Sequence, residues 1–168
     1  QYTGFNLFKA TFSIEEFSYP ELTTESEVLN SKTENVLQDL IEYAEGEDFK
    51  LLFVSAPAYL TVKEQMSLNS AEVYLTEKGY TVLNFNTEEM YEALNINFNT
   101  DFYNSTHVNL NGAIKYTEYL SKYLKDNYSL KDHANDKGYK EWKTGYKNLL
   151  RDSKELWNPL WDRTLPDL

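Results

Sequence analysis

Two short apolar runs, separated by one helix-like segment, most strongly constrain what this chain can fold into. The first run is LLFVSAPA at residues 51–58, and the second is YTVLNF at residues 80–85. The segment between them begins with a Thr61–Glu64 capping box, has apolar residues on or near one helical face, and reaches Gly79 at its end. A strand, a helix and a second strand in this order favour a parallel pair joined by a crossover helix. We therefore expect an α/β fold.

The first apolar run also indicates how its strand is buried and where it ends. A nearly continuous apolar run is typical of a strand buried on both faces of a parallel sheet. Pro57 has no N–H group for the strand ladder, so the strand should end there. We predict a three-layer α/β/α fold with a small parallel sheet. Because ligands of such sheets bind at the carboxyl ends of the strands, residues 97–108 should lie there beside residues 55–59 and 84–86.

Helix signals precede and follow this strand–helix–strand unit. A capping box at Ser31–Glu34 comes before apolar residues at helical spacing, and Gly46 is the expected end of that helix. Asn86 or Thr87 should cap a short helix that reaches about Leu94. These additional helices are what the outer layers of an α/β fold require.

The composition excludes several classes of protein. The chain has 168 residues, of which 41% are hydrophobic, so it is long enough for one domain with a sizeable core. We expect that domain to span residues 1–150, with residues 151–168 forming an aromatic tail that packs on it. A formal net charge of −11 argues against non-specific nucleic-acid binding, which needs a basic face.

The absence of cysteine excludes several kinds of bond and site. Without any Cys the chain has no disulfide, no thiolate nucleophile and no cysteine ligand for zinc. No apolar run reaches the length of a membrane span, and no signal-peptide pattern is present in these residues. We expect neither a cofactor nor a metal.

The polar loop at residues 97–108 carries the candidate site. His107 lies just before a predicted helix, where a neighbouring acceptor can hold one ring nitrogen while the other reaches a substrate. Asn104, three residues earlier, and Asp101 are the candidates for that orienting role. The alternative is an ordinary solvent-facing histidine near a helix start.

The residues around His107 resemble the C-terminal block of SGNH/GDSL-type hydrolases. That block carries an Asp-x-x-His pair on a loop that enters the last helix, and the same spacing here reads Asn104-Ser105-Thr106-His107. The run that follows, residues 108–128, is similar to one bacterial branch with relatives in teichoic-acid D-alanylation and alginate O-acetylation. The resemblance extends from about Glu34 to Trp142.

The resemblance implies a function and a cellular location. It implies a serine esterase or O-acyltransferase with an SGNH/flavodoxin-like sheet, which acts on acylated cell-envelope glycans or a small ester substrate. It also implies a location that is extracytoplasmic or associated with the cell envelope. His107 would be the general base, oriented by Asn104 or Asp101. Asn104 stands where the family has Asp. An amide can orient the ring, but it cannot stabilise the imidazolium that forms during proton transfer.

The family's Gly-Asp-Ser-like block is not visible in this chain. Ser55 ends a strand without a preceding Gly, and Ser105 is poorly placed to bond with the histidine that follows it closely. The chain should therefore be the C-terminal part of a longer protein, with the nucleophile upstream and a sheet edge exposed to self-association. The alternative is a non-catalytic binding or scaffolding module that holds a glycan or a protein partner.

The remaining polar and aromatic clusters have structural interpretations. Asp132 and His133 lack further metal ligands at suitable spacing, so a capped loop is favoured over a metal site. A long helix should begin at Asn109 or Asn111 and end near Lys125. It carries a stripe of tyrosines typical of a packing seam, namely Tyr116, Tyr119 and Tyr123. The three tryptophans should anchor the C-terminal segment to the body, and they are Trp142, Trp157 and Trp161.

Overall fold

The structure is a computed structural model that describes residues 20–47, 49–133 and 135–156. It is a mixed helix-and-strand protein, which confirms the α/β class. The described residues divide into two compact units, one within residues 16–93 and the other within residues 94–168.

The unit of residues 16–93 contains the two predicted strands. Its elements are α1 (Ser31–Gly46), β1 (Leu52–Ser55), α2 (Val62–Glu77), β2 (Thr81–Asn84) and α3 (Glu88–Ala93). β1 and β2 pair in parallel, with Leu52 opposite Thr81 and Ser55 opposite Asn84, as predicted. The expectation that the first strand is buried on both faces is wrong, because Val54 is 39% exposed. Within the described residues, this sheet consists of these two strands.

The helix ends of this unit follow the capping signals in all but one case. The Thr61–Glu64 capping box is present, and Gly79 adopts a left-handed conformation with φ +84° after the end of α2. The capping box at Ser31 is wrong, because the side chain of Asn30 accepts the hydrogen bond from the helix start. Asn is as good an N-cap as Ser, and it lies one residue earlier. Thr87 caps α3, since its hydroxyl accepts from the third residue after it.

The second unit contains a hairpin that the sequence did not suggest. Its described elements are β3 (Phe102–Asn104), β4 (His107–Val108), α4 (Leu110–Asn127), a 3₁₀ turn (Lys137–Tyr139) and α5 (Lys140–Leu156). β3 and β4 pair antiparallel, so the prediction of a loop throughout residues 97–108 is wrong. Asn109 is the N-cap of α4 and was one of the two residues predicted for this role. The expected boundary at residue 150 falls inside α5.

Each unit has its own apolar centre. In residues 16–93 the most buried aromatic side chains are Phe85 and Tyr91. In the other unit the rings of Phe98 and Phe102 stack with their centroids 4.9 Å apart. None of the helices described here is both long and apolar enough to cross a lipid bilayer.

Several sequence predictions about aromatic residues have different outcomes. The three tyrosines of α4 are partly buried, as a packing seam requires. Trp142 is 76% exposed, so the prediction that it anchors the C-terminal segment is wrong. Trp157 and Trp161 lie outside the described residues.

Candidate functional site

The hairpin β3–β4 presents His107 at the start of its second strand. Asn104 is the last residue of β3 and lies opposite His107, with Ser105 and Thr106 as the turn between them. Antiparallel partners bring their side chains within reach of each other. The hairpin therefore joins the two residues that the sequence singled out by their three-residue spacing.

The side-chain amide of Asn104 has only one orientation that satisfies its neighbours. The backbone N–H of Thr106 donates to Asn104 Oδ1 over 3.0 Å, which places the oxygen, and not the amide nitrogen, towards the turn. The same Oδ1 lies 2.9 Å from Nδ1 of His107. Because Oδ1 can only accept, Nδ1 carries the proton and donates it. Thr106 Oγ1 lies 3.0 Å from the same ring nitrogen and supports this position.

This tautomer leaves the other ring nitrogen as a proton acceptor. With hydrogen on Nδ1, the neutral imidazole has a lone pair on Nε2. His107 is exposed, and no described residue makes a hydrogen bond to its Nε2. The arrangement is that of a general base held from behind by a neighbouring acceptor.

The orienting group is an amide and carries no charge. In a catalytic triad, replacing the carboxylate by an amide lowers turnover roughly 10⁴-fold, chiefly through the tautomer. Here the backbone of the turn fixes the amide so that the base tautomer is kept. What Asn104 cannot supply is electrostatic stabilisation of the imidazolium.

The carboxylate of Asp101 makes its ion pair and hydrogen bonds with residues other than His107. The carboxylate is fully buried and lies 2.8 Å from Nζ of Lys115. Its two oxygens also accept from the side chain of Asn111 over 2.6 Å and from the backbone N–H of Asn97 over 2.7 Å. The Thr100 hydroxyl donates to it over 3.0 Å. His107 is not among its partners, so the structure brings together Asn104 and His107 but leaves Asp101 out.

The buried group around Asp101 fixes the hairpin to the helix that follows it. Asn109 accepts from the first backbone N–H groups of α4, and its amide nitrogen donates to the carbonyls of Thr100 and Phe102. Gly112 lies so close that a Cβ atom there would be 2.4 Å from the carbonyl oxygen of Asp101. Only glycine allows this approach. The hairpin that carries His107 therefore rests on a tightly packed base of buried polar side chains.

Lys115 and Asn111 are the members of this group that the sequence did not reveal. Both are among the buried residues of α4, one helical turn apart. A lysine on the inner face of a helix is unusual unless it is paired. The four-residue spacing of Asn111 and Lys115, which places both on one face of the helix, is the signal that could have linked them.

The other candidate residues form no second catalytic group within the described residues. The hydroxyl of Ser55 accepts from the amide nitrogen of Asn86 over 2.9 Å, and no imidazole contacts it. His133 lies 2.7 Å from Asp136 and stacks on Tyr139. No group of three metal-ligating side chains occurs in the part of the chain that the structure describes.

Comparisons with known proteins leave the family unassigned. Neither protein-family models, curated proteins nor solved structures gave a match to this chain.

Proposed function

We propose that this chain supplies the general base of an SGNH-type serine esterase or O-acyltransferase acting on acylated cell-envelope glycans. The observation that carries the proposal is the 2.9 Å contact between His107 Nδ1 and Asn104 Oδ1, which leaves Nε2 exposed as a proton acceptor. The fuller SGNH-like three-layer fold and an extracytoplasmic location belong to the same proposal.

The proposed reaction uses His107 twice. Nε2 takes the proton from a serine hydroxyl while the serine oxygen bonds to the acyl carbon. The imidazolium then returns that proton to the departing glycan oxygen. In the second half, Nε2 takes a proton from water or from an acceptor hydroxyl as that oxygen attacks the acyl carbon, and the imidazolium gives this proton to the departing serine oxygen. The serine would come from sequence outside these 168 residues, since no Gly-Asp-Ser-like block is present in them.

A binding or scaffolding module is the second candidate function. It is favoured by one observation: the nearest carboxylate in sequence, Asp101, is neutralised by Lys115, and the residue opposite the imidazole is an amide. A module of this kind would hold a glycan or a protein partner without turning it over. An exposed sheet edge would allow self-association.

Hydrolysis of p-nitrophenyl acetate distinguishes the two candidates. The chain contains two histidines, so His133→Ala is a matched control for His107→Ala. The enzyme proposal expects His107→Ala to lower the rate and His133→Ala to leave it unchanged. In a protein that also carries the upstream serine block, the loss should be about 10²–10⁴-fold. Equal rates for the wild type, His107→Ala and His133→Ala, both with and without the upstream serine block, would exclude the enzyme proposal and favour the binding module.

A further inference from the structure

We propose that residues 16–93 carry a ligand site of their own, a cavity that binds a small organic cation with primary ammonium groups. The cavity has a volume of about 700 Å³ and lies between α2, the end of β2 and residues 22–24. This volume is within the range of small-molecule sites. All of its lining residues belong to this one unit.

The cavity lies where parallel sheets usually bind their ligands. Asn84 is the last residue of β2, and Asn86 follows it; both line the cavity. The side chain of Asn86 is buried and holds the turn after β1, because its Oδ1 accepts from the N–H of Ala58 over 2.8 Å. Its amide nitrogen donates to the carbonyl of Ala56 over 3.0 Å. This wall of the cavity is therefore rigid.

On the α2 side, the hydrogen bonds of Asn69 determine how the amide of Gln65 is turned. The amide nitrogen of Asn69 donates to the carbonyls of Thr23 and Glu25, over 2.8 and 2.7 Å. Asn69 must then offer Oδ1 to Gln65, whose Nε2 donates to it over 3.0 Å. Flipping either amide would break these bonds.

Gln65 Oε1 is consequently a fixed acceptor that lacks a donor among the described residues. Gln65 lines the cavity and is only 3% exposed, and its Oε1 makes no hydrogen bond. A buried amide oxygen without a donor is costly. A bound molecule that brings N–H groups to this wall is the partner that would complete it.

The charge of the lining selects a cation among such donors. Glu72, Glu77 and Glu88 line the cavity, and none of its lining residues is Lys, Arg or His. Glu72 already accepts from the amide of Asn84 over 2.8 Å, which holds its carboxylate in place. The described residues contain no cluster that suits a metal ion. An ammonium group, which has several N–H donors and a positive charge, fits both the carboxylates and the amide oxygen.

Titration of the 168-residue chain with defined cations tests the site by ¹H–¹⁵N NMR. Putrescine represents a polyamine and glucosamine an amino sugar, while glucose is the neutral counterpart of glucosamine. We expect saturable shifts of the side-chain amides of Gln65, Asn84 and Asn86 with one or both cations at millimolar concentration. A response to only one of them identifies the source of the ammonium group. An equal response to glucose, or no saturable response, would overturn the proposal.

A pair of charge-matched variants separates the cavity from the general acidity of the chain. Glu72→Gln keeps an acceptor for Asn84 but removes the charge, and we expect binding to weaken about two- to fivefold. Glu89→Gln removes one charge from an exposed position of α3 outside the lining, and binding should be unchanged. Retained spectra and melting temperatures show that both variants fold. Equal weakening in both variants would refute a specific site.

Discussion

Lys115 Nζ and Asp101 Oδ2 lie 2.8 Å apart, and neither side chain is exposed to solvent. The lysine also donates to the carbonyl of Asn95 over 2.7 Å. Two opposite charges removed from water are tolerated only when their remaining hydrogen-bonding groups are satisfied, as they are here for the carboxylate. Through Lys115, α4 is therefore bound to two points of the preceding segment, Asn95 and Asp101.

Removing the cation of this pair should destabilise the protein strongly. Lys115→Met leaves the buried carboxylate of Asp101 without a counter-charge, which costs about 3–5 kcal/mol in comparable pairs. The free energy of unfolding in urea measures the loss. Lys122→Met is the control, because that lysine pairs with Asp126 on the surface of the same helix and is 78% exposed. It should unfold at the wild-type midpoint, and a similar midpoint for Lys115→Met would show that the pair is unimportant.

Gly112 should not tolerate a methyl group. In Gly112→Ala the added carbon would meet the carbonyl oxygen of Asp101 at 2.4 Å, and this oxygen is fixed by the N–H of Asn109. Overpacking of this kind costs about 1–3 kcal/mol. Gly145→Ala is the counterpart, since nothing lies within 4 Å of its added carbon in α5. That variant should gain about 0.5–1 kcal/mol. Thermal unfolding of both shows whether the signs are opposite.

Tyr91 should make stability fall at alkaline pH. Its side chain is buried and its hydroxyl donates to the carbonyl of Ala58 over 3.0 Å. Burial raises the pKa of Tyr91 well above its ordinary value. The unfolded chain therefore loses this proton first, and the free energy of unfolding falls as pH rises past about 10. Below that pH the contribution is fully present.

The variant Tyr91→Phe isolates this effect. It cannot ionise, so its alkaline decline should be shallower than that of the wild type by up to about 1.4 kcal/mol per pH unit. It should also be less stable at neutral pH by about 1 kcal/mol, because the Ala58 carbonyl loses its donor. Tyr146→Phe, at an exposed position, controls for the loss of one hydroxyl. Parallel curves for Tyr91→Phe and the wild type would contradict the explanation.

Asn104 should decide which nitrogen of His107 carries the proton. At alkaline pH, long-range ¹H–¹⁵N spectra should show the Nδ1–H tautomer in the wild-type protein, as the contact with Asn104 Oδ1 requires. Asn104→Ala removes this acceptor, so the second tautomer should become populated. Ser105→Ala changes the same turn without a contact to the ring and should leave the spectrum unchanged. Predominance of the Nε2–H tautomer in the wild type would remove the basis for a general base.

Local signals were sufficient for the parts of the fold that depend on neighbours in sequence. The Thr61–Glu64 capping box, the left-handed Gly79 and the cap at Asn109 are each read from a few adjacent residues. The parallel pairing of β1 and β2 follows from the order of elements. Such features depend little on the rest of the chain.

Features set by distant contacts were not predictable in the same way. The hairpin at residues 102–108 has strands of only three and two residues, and it is held at its base by the bonds from Asn109 to the carbonyls of Asp101 and Phe102. The role of Asp101 was open until its partner Lys115, fourteen residues away, was known. His107 was identified from its place just before a predicted helix, and Asn104 from its three-residue spacing to His107. The expectation that residues 97–108 lie beside the ends of β1 and β2 concerns two separate units and stays a prediction.

The bonds from Asn69 to the carbonyls of Thr23 and Glu25 have a mechanical consequence. Ser70, the next residue, donates its hydroxyl proton to the carbonyl of Glu27 and accepts from the same residue's N–H. Hydrogen bonds from Asn69 and Ser70 of α2 thus hold the stretch before α1 at Thr23, Glu25 and Glu27. A displacement of residues 23–25 would break the bonds that orient the side-chain amide of Asn69. Asn69 in turn orients Gln65, so this displacement would change the wall of the cavity.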